Sequence, residues 1–333
     1  MIITRSPLRI SYLGGGTDFP EFYFHDFGCS IASTIDKYVY VITNALSDTS
    51  SERIRLSYSS VESCNTVSQI QHPVFREVLS QFEHLLPVAI STFSDVPARN
   101  GLGGSSAFTA SLYKNMLEKS GQPSTSEQVA KFAIEIERDK LGEIGGHQDQ
   151  YQTSFGGFNF YLFKKNSVEV RKDIVSSSFL EFLRARQLLV YSGYTRTKIP
   201  KHKDSSVENT KLLESIRDLT VTTFESIEEN SADLQISFNF LRQGIDEYWK
   251  LKERLSQSES EELFKEIRFL QGKKLDFSYK LLGAGGGGFF LVLAEEQTIE
   301  LIKNMLPSNR WIQPGFSKEG TEVVETISGV LKK

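Results

Sequence analysis

The stretch Pro97-Ala98-Arg99-Asn100-Gly101-Leu102-Gly103-Gly104-Ser105-Ser106-Ala107 lies between a short apolar run at 88–93 and a helix-like segment at about 106–119. Glycines at 101, 103 and 104 let a backbone approach a bulky anion with no Cβ in the way. Free N–H groups at a helix start, with the positive end of the dipole, favour phosphate. The hydroxyls of Ser105 and Ser106 can cap the helix, bond phosphate oxygens or ligate a magnesium ion. Spacing alone leaves two readings open: a phosphate cradle, or a tight turn with a serine N-cap. No GxxxxGK[ST] occurs in the chain, so this is not the common P-loop.

Three other segments carry candidate chemistry. Gly283-Ala284-Gly285-Gly286-Gly287-Gly288 formally matches GxGxxG, but the strand-like run 289–293 follows it. A dinucleotide fingerprint has its glycines after a strand and before a helix, so that reading fails on context. Five glycines in six positions still require a backbone that passes close to something. Gly145-Gly146-His147-Gln148-Asp149-Gln150-Tyr151, followed by Gly156-Gly157, sets an acid, a histidine and two amides between glycine breaks. Asp149 reads there as a reactive acid or as a solvated capping residue. Arg5-Ser6-Pro7-Leu8-Arg9-Ile10 leads to Gly14-Gly15-Gly16-Thr17-Asp18-Phe19. Arg9 and Asp18 either face one cleft or are a surface arginine and a turn aspartate.

Outward from these motifs, residues 2–12 read as a strand interrupted at Pro7, with further strands at 29–46 and 52–58. Val74, Val78, Leu79, Phe82 and Leu85 stand at helical spacing over 73–86. Ser124 with Glu127 fits a capping box for a helix to about 140, and 148–154 is helical again. Residues 158–163 and 188–191 are strand-like, and 204–272 is almost all helical. This predicts an α+β protein with domains 1–180 and 181–333, the boundary falling within 175–185. The length of 333 residues agrees with about two domains at roughly 150 residues each.

Composition excludes other classes. With 39% hydrophobic and 24% charged residues, the chain is neither disordered nor a small disulfide scaffold. A net charge of −4 is too balanced for a nucleic-acid binder. Cys29 and Cys64 form no CxxC pair and suit two reduced thiols in the cytoplasm. The N-terminus lacks a signal-peptide pattern, and the longest apolar run, 289–294, is far short of the ~20 residues of a membrane helix. The expectation is a cytoplasmic protein with no membrane or nucleic-acid partner.

Taken together, the P-x-R segment, the P-x-x-x-G-L-G-x-S-S-A loop and the C-terminal glycine-rich segment resemble, in order, the three motifs of the GHMP small-molecule kinases. The resemblance spans residues 5 to 288. Within the family, P-L-R-I-S-x-x-G-G-G-T-D and G-G-x-Q-D-Q-Y-x-x-x-x-G-G-F-N-F look most like the heptose 7-phosphate kinase branch. Galactokinases carry Glu-His where this chain has Gly15-Gly16, which argues against galactose.

The resemblance implies an N-terminal ribosomal-protein-S5-like domain, a C-terminal ferredoxin-like domain and an active site between them. It implies ATP and Mg2+ as cofactors, with Gly101, Leu102, Gly103, Gly104, Ser105, Ser106 and Ala107 around the ATP phosphates. Ser106 and Glu137 would serve the metal, Glu137 being twelve residues before Asp149. Glu135, the alternative, is turned about 200° away on a helix. Asp149 would face the sugar hydroxyl and Arg9 would stabilise the reacting oxygens. Asp18, Gly16, Thr17, His147, Gln148, Gly285 and Gly286 would lie around the substrate. Arg196, in the basic stretch 196–203, would hold a substrate phosphate. The implied reaction is phosphorylation of the anomeric O1 of D-glycero-D-manno-heptose 7-phosphate, by a monomer or homodimer, for nucleotide-activated heptose and surface polysaccharide. The alternatives are another sugar 1-kinase, such as an L-fucose kinase or galactokinase, or a non-catalytic sugar sensor.

Overall fold

The computed structural model describes residues 1–47, 50–195, 207–255 and 261–327. Two long strands, β1 (Ile2–Leu13) and β2 (Gly28–Ala45), pair antiparallel and are linked through the short helix α1 (Pro20–Tyr23). The β-branched and aromatic run 38–42 favours extended chain. Pro7 stays inside β1, and the register slips between Pro7 and Arg9, where the missing proline N–H would otherwise break the ladder. After β2 come β3 (Ile54–Ser57), β4 (Val61–Cys64), α2 (Pro73–Ser80) and β5 (Val88–Ser94). The helical pattern at 73–86 is cut at Ser80, and residues 83–85 form a separate tight turn of helix.

α3 (Gly104–Lys119) begins two residues earlier than its apolar pattern suggests, so both serines of the loop lie within its first turn. α4 (Ser126–Ile134) is capped by Thr125 and Gln128, not by the expected Ser124 and Glu127. The predicted continuous helix to 140 instead widens into a π-helical turn, Glu135–Lys140. α5 (Gln148–Phe155), β6 (Phe158–Lys164), β7 (Ser167–Arg171) and α6 (Ser177–Arg184) follow. β2 is long enough for two partners: β6 pairs with its first part and β5 with its second.

The second sheet is built from β8 (Gln187–Tyr191), β9 (Ser278–Leu281), β10 (Phe289–Leu293) and β11 (Trp311–Ile312), in the order β11-β8-β10-β9. Helices α7 (Val207–Glu229), α8 (Leu234–Leu255) and α9 (Lys265–Gly272) separate its first two strands, and α10 (Glu296–Met305) its last two. This β-α-β-β-α-β succession with antiparallel neighbours is the ferredoxin-like arrangement. Alternation along β10 explains why every residue of it is buried. Leu291 and Leu293 join the core shared with β1, whereas Phe290 and Val292 join the core beneath α9 and α10.

The division at 180/181 meets one correction. β12 (Glu322–Thr326) returns to the first sheet and pairs with β1, giving the order β12-β1-β2-β5-β3-β4. Without it β1 would be an edge strand with unpaired backbone groups. A single core also joins the halves: Leu8 and Ile10 of β1 pack with Leu189, Phe224, Ile245 and Leu291. Among the described residues, no helix is long and apolar enough to cross a membrane.

Candidate active site

The loop before α3 is shaped by its own residues. Asn100 Oδ1 accepts the Leu102 N–H at 2.9 Å, and Gly101 and Gly103 both adopt positive φ. Gly103 is the N-cap and offers no side chain, so the first-turn N–H groups of α3 have no side-chain cap. Ser105 is exposed and Ser106 is buried. Leu102 and Ala107, expected near phosphate, bury their side chains in the core and leave only backbone to the loop.

The glycine-rich segment 283–288 has a definite role. A Cβ on Gly288 would overlap the Asn100 carbonyl, and one on Gly283 would sit 2.8 Å from Gly101 Cα. Phe289 N donates to Asn100 O at 3.1 Å. What the C-terminal glycines pass close to is therefore the N-terminal glycine loop, backbone against backbone. Gly285 is half-buried and Gly286 exposed at the tip of that turn.

Arg9 ties this loop to α5. Its Nε and Nη2 bond Asp149 Oδ1 and Oδ2 at 2.8 and 2.7 Å, a bidentate fork, while Nη1 donates to the Gly101 carbonyl. Its backbone N–H bonds Leu102 O at 2.9 Å. The Arg9 side chain is 5% exposed and that of Asp149 31%, so the carboxylate is the reachable partner.

One residue along α5, Gln150 turns to a second carboxylate. Glu137 accepts from Ser106 Oγ at 2.8 Å, Thr109 Oγ1 at 2.8 Å and Gln150 Nε2 at 2.6 Å. It is 3% exposed, and burial pushes its carboxyl up to about 7 against those three hydrogen bonds. Glu135 is half-buried, outside this cluster, and faces Lys140 at 3.9 Å. A buried carboxylate served only by neutral donors gains from a divalent cation, so Ser106 and Glu137 fit Mg2+. Among the described residues no three His, Cys, Asp or Glu side chains cluster as a metal cage. Mg2+ usually takes one or two carboxylates and completes its shell from phosphates and water, which agrees with this sparse donor set.

Asp18 is 5% exposed and accepts from Gly16 N at 2.9 Å and Gln148 N at 3.1 Å. Burial raises its carboxyl above the usual range. A Cβ on Gly146 would overlap this carboxylate, which is why a glycine stands there. His147 ring Nδ1 lies 2.8 Å from Tyr23 Oη, and burial pushes the imidazole down to about 4, leaving it neutral near pH 7. Thr17 departs from its expected substrate role. It is fully buried, and its hydroxyl holds the turn through Gly14 O, Cys29 O and Cys29 N. Arg196 lies outside the described residues. The motifs gave Gln150 no role and did not single out Thr109, Tyr23, Lys252 or Lys280. Thr109 stands three residues after Ser106 on one face of α3, a spacing that could have revealed it.

The structure thus brings together an uncapped glycine-rich helix start, a buried acid bonded to its first-turn serine and an ion-paired aspartate. The family described as GHMP kinases N terminal domain matches residues 65–157. D-glycero-alpha-D-manno-heptose 7-phosphate kinase of Campylobacter jejuni is 30% identical over 335 residues, covering 96% of this chain and 98% of that protein. A bifunctional fucokinase/GDP-fucose pyrophosphorylase of Arabidopsis thaliana is 25% identical over 87% of this chain and 29% of its own length. A crystal structure described as a D-glycero-D-manno-heptose 1-phosphate kinase from Bacteroides thetaiotaomicron superposes with a TM-score of 0.78 at 22% identity, covering 98% of this chain and 100% of that one. The chain belongs to the GHMP kinase family and has its fold. It is an ATP-using phosphotransferase of that family.

Proposed function

We propose that this sugar kinase transfers the γ-phosphoryl group of ATP, with Mg2+, to the anomeric O1 of D-glycero-D-manno-heptose 7-phosphate. The product is the 1,7-bisphosphate, a precursor of nucleotide-activated heptose for surface polysaccharide. The observation that carries the reading is the Arg9–Asp149 pair, set beside the start of α3 and one residue from the Gln150–Glu137 contact. Asp149 accepts the O1 proton and orients the oxygen for in-line attack. Arg9 fixes the Asp149 carboxylate and the Gly101 carbonyl in one rigid unit, so positioning supplies much of the rate. Residues 101–106 cradle the β- and γ-phosphates with backbone N–H groups. Ser106 and Glu137 would hold Mg2+, which would supply charge neutralisation for the phosphates. Asp18, with the Gly16 turn, binds sugar hydroxyls, and His147 and Gln148 border the same space. The full-length similarity to the Campylobacter enzyme supports the choice of sugar.

The deciding experiment measures ATP consumption over heptose 7-phosphate, heptose, L-fucose, galactose and mevalonate. The expected order has heptose 7-phosphate first by a wide margin. Fastest turnover of L-fucose would replace the acceptor and leave the kinase standing.

Metal dependence gives a second check. Ser106→Ala and Glu137→Gln each remove a ligand or its orienting partner and should raise the Mg2+ needed for half-maximal rate by about 10- to 100-fold. Glu135→Gln should leave it unchanged, because that carboxylate faces Lys140 and not Ser106. A shift in Glu135→Gln alone would move the metal away from Glu137.

A further inference from the structure

The donors around Glu137 are not equivalent. Its Oε1 is held by Thr109 of α3, and its Oε2 by both Ser106 of α3 and Gln150 of α5. Thr109 is fully buried and Gln150 is 4% exposed, so bulk water does not replace either of them. A carboxylate offers about four lone-pair sites, and three are filled in this arrangement. The Thr109 hydroxyl has one proton and two acceptors in reach: Glu137 Oε1 at 2.8 Å and the Ser105 carbonyl at 3.1 Å. An ionised carboxylate is both the nearer and the stronger acceptor, so the proton goes there. Ser106 is different, because its hydroxyl cannot point its proton at Oε2 and share a cation with that oxygen at once. With Ser106 turned to an ion, Thr109 and Gln150 remain, one donor on each oxygen, and fix the plane of the carboxylate.

Gln150 has a second property. A carboxylate that ligates a cation is ionised and only accepts, so the Nε2 end of the amide must face it. Oε1 of Gln150 is then buried with no hydrogen-bond partner among the described residues. A buried acceptor left unmatched costs free energy until a donor reaches it. The two ends of one amide are close neighbours, so this oxygen stays beside the carboxylate. Gln152, two residues further along α5, shows the contrast. It is equally buried, yet its Nε2 donates to the Gly157 carbonyl at 2.8 Å and its Oε1 accepts from Asn159 Nδ2 at 3.4 Å. Mg2+ usually keeps several of its waters, and a water on a divalent cation is a strong donor.

We propose that Thr109 and Gln150 are positioning residues of the metal site: together they hold the Glu137 carboxylate in one orientation, and Gln150 Oε1 accepts a hydrogen bond from a water of the cation's shell. This rests on the Mg2+ reading of Ser106 and Glu137 above. Gln150 follows Asp149 in the first turn of α5, so one turn of helix serves both the acceptor acid and the metal acid.

The test uses Mn2+ as a paramagnetic probe for the Mg2+ site. Titrating it into the full chain with stoichiometric ADP, and reading free ion by electron paramagnetic resonance, gives metal affinity without turnover. Gln150→Met and Thr109→Val keep the shape of each side chain and remove its hydrogen bonds. Each should weaken Mn2+ binding about 10- to 100-fold, the usual cost of losing a partner that orients a metal ligand. Thr109→Ser restores the hydroxyl and should return the affinity to near the wild-type value. Gln152→Met removes an equally buried amide from the same helix and should leave Mn2+ binding unchanged. In kinetics, raising Mg2+ should recover most of the kcat of Gln150→Met and Thr109→Val, a rescue that a merely structural loss would not allow. Wild-type Mn2+ affinity in Gln150→Met and Thr109→Val, beside weakened binding in Ser106→Ala and Glu137→Gln, would overturn the positioning role and leave the metal reading standing. Equal weakening in Gln152→Met would overturn it as well. Unchanged binding in Ser106→Ala and Glu137→Gln would overturn the metal reading itself.

Discussion

Asp149→Asn is expected to lower kcat by ~10² to 10⁴, the range for losing a positioned general base. Asparagine keeps the size of the side chain and one carbonyl oxygen for the Arg9 fork, so the first turn of α5 should stay in place. What disappears is the charge that takes the acceptor proton. KM for ATP should barely move, because the proposed phosphate cradle is residues 101–106 with the glycines behind them and does not include Asp149. Steady-state kinetics with each substrate varied in turn would check both halves of this expectation. Near-normal kcat would remove Asp149 from the chemistry. A large rise in KM for ATP would show that the ion pair mainly supports the loop.

The loop was legible because it carries strong local signals: glycines where φ is positive, Asn100 folding back on Leu102, and serines at a helix start. Glu137 was reached by counting from Asp149, but a second signal was available. It follows Ala130 and Ala133 at i+7 and i+4, so a carboxylate stands on the buried face of α4's continuation. The π-helical turn that carries it leaves no such pattern; such turns are frequent at functional sites. The capping register was ambiguous because Ser124/Glu127 and Thr125/Gln128 both satisfy the same spacing one residue apart.

Long-range partners were not legible. β4, β7 and β12 have alternating or exposed residues with no apolar run, so each is recognisable only by the strand it pairs with. The glycines 283–288 announced a close approach, but nothing local said that Asn100 and Gly101 were the other side of it. The strand β9, around Lys280, was likewise not read from the sequence. A lysine argues against a buried strand until the carbonyls of Ser11 and Tyr12 are seen to receive it. The tail returned for an equally non-local reason, since β1 needed a neighbour.

Replacing Arg9 by Met tests whether that arginine acts on the reacting oxygens or through Asp149. The change removes both bonds to Asp149 and the donor to the Gly101 carbonyl. Hydrogen bonds to charged groups are worth about 1.5–3 kcal/mol each in buried settings. The Asp149 side chain is 31% exposed, so solvent screening puts its two bonds to Arg9 near the low end, about 3 kcal/mol together. That corresponds to roughly 10²-fold in kcat/KM. Arg9→Lys should recover only part of this, because a point charge cannot bridge two carboxylate oxygens and a carbonyl at once. The double variant with Asp149→Asn separates the two roles. If Arg9 works by holding Asp149, the combined loss is far smaller than the product of the single losses. If the losses multiply, Arg9 acts directly on the transferring phosphoryl group, and its fork to Asp149 is a resting arrangement that opens when both substrates are bound.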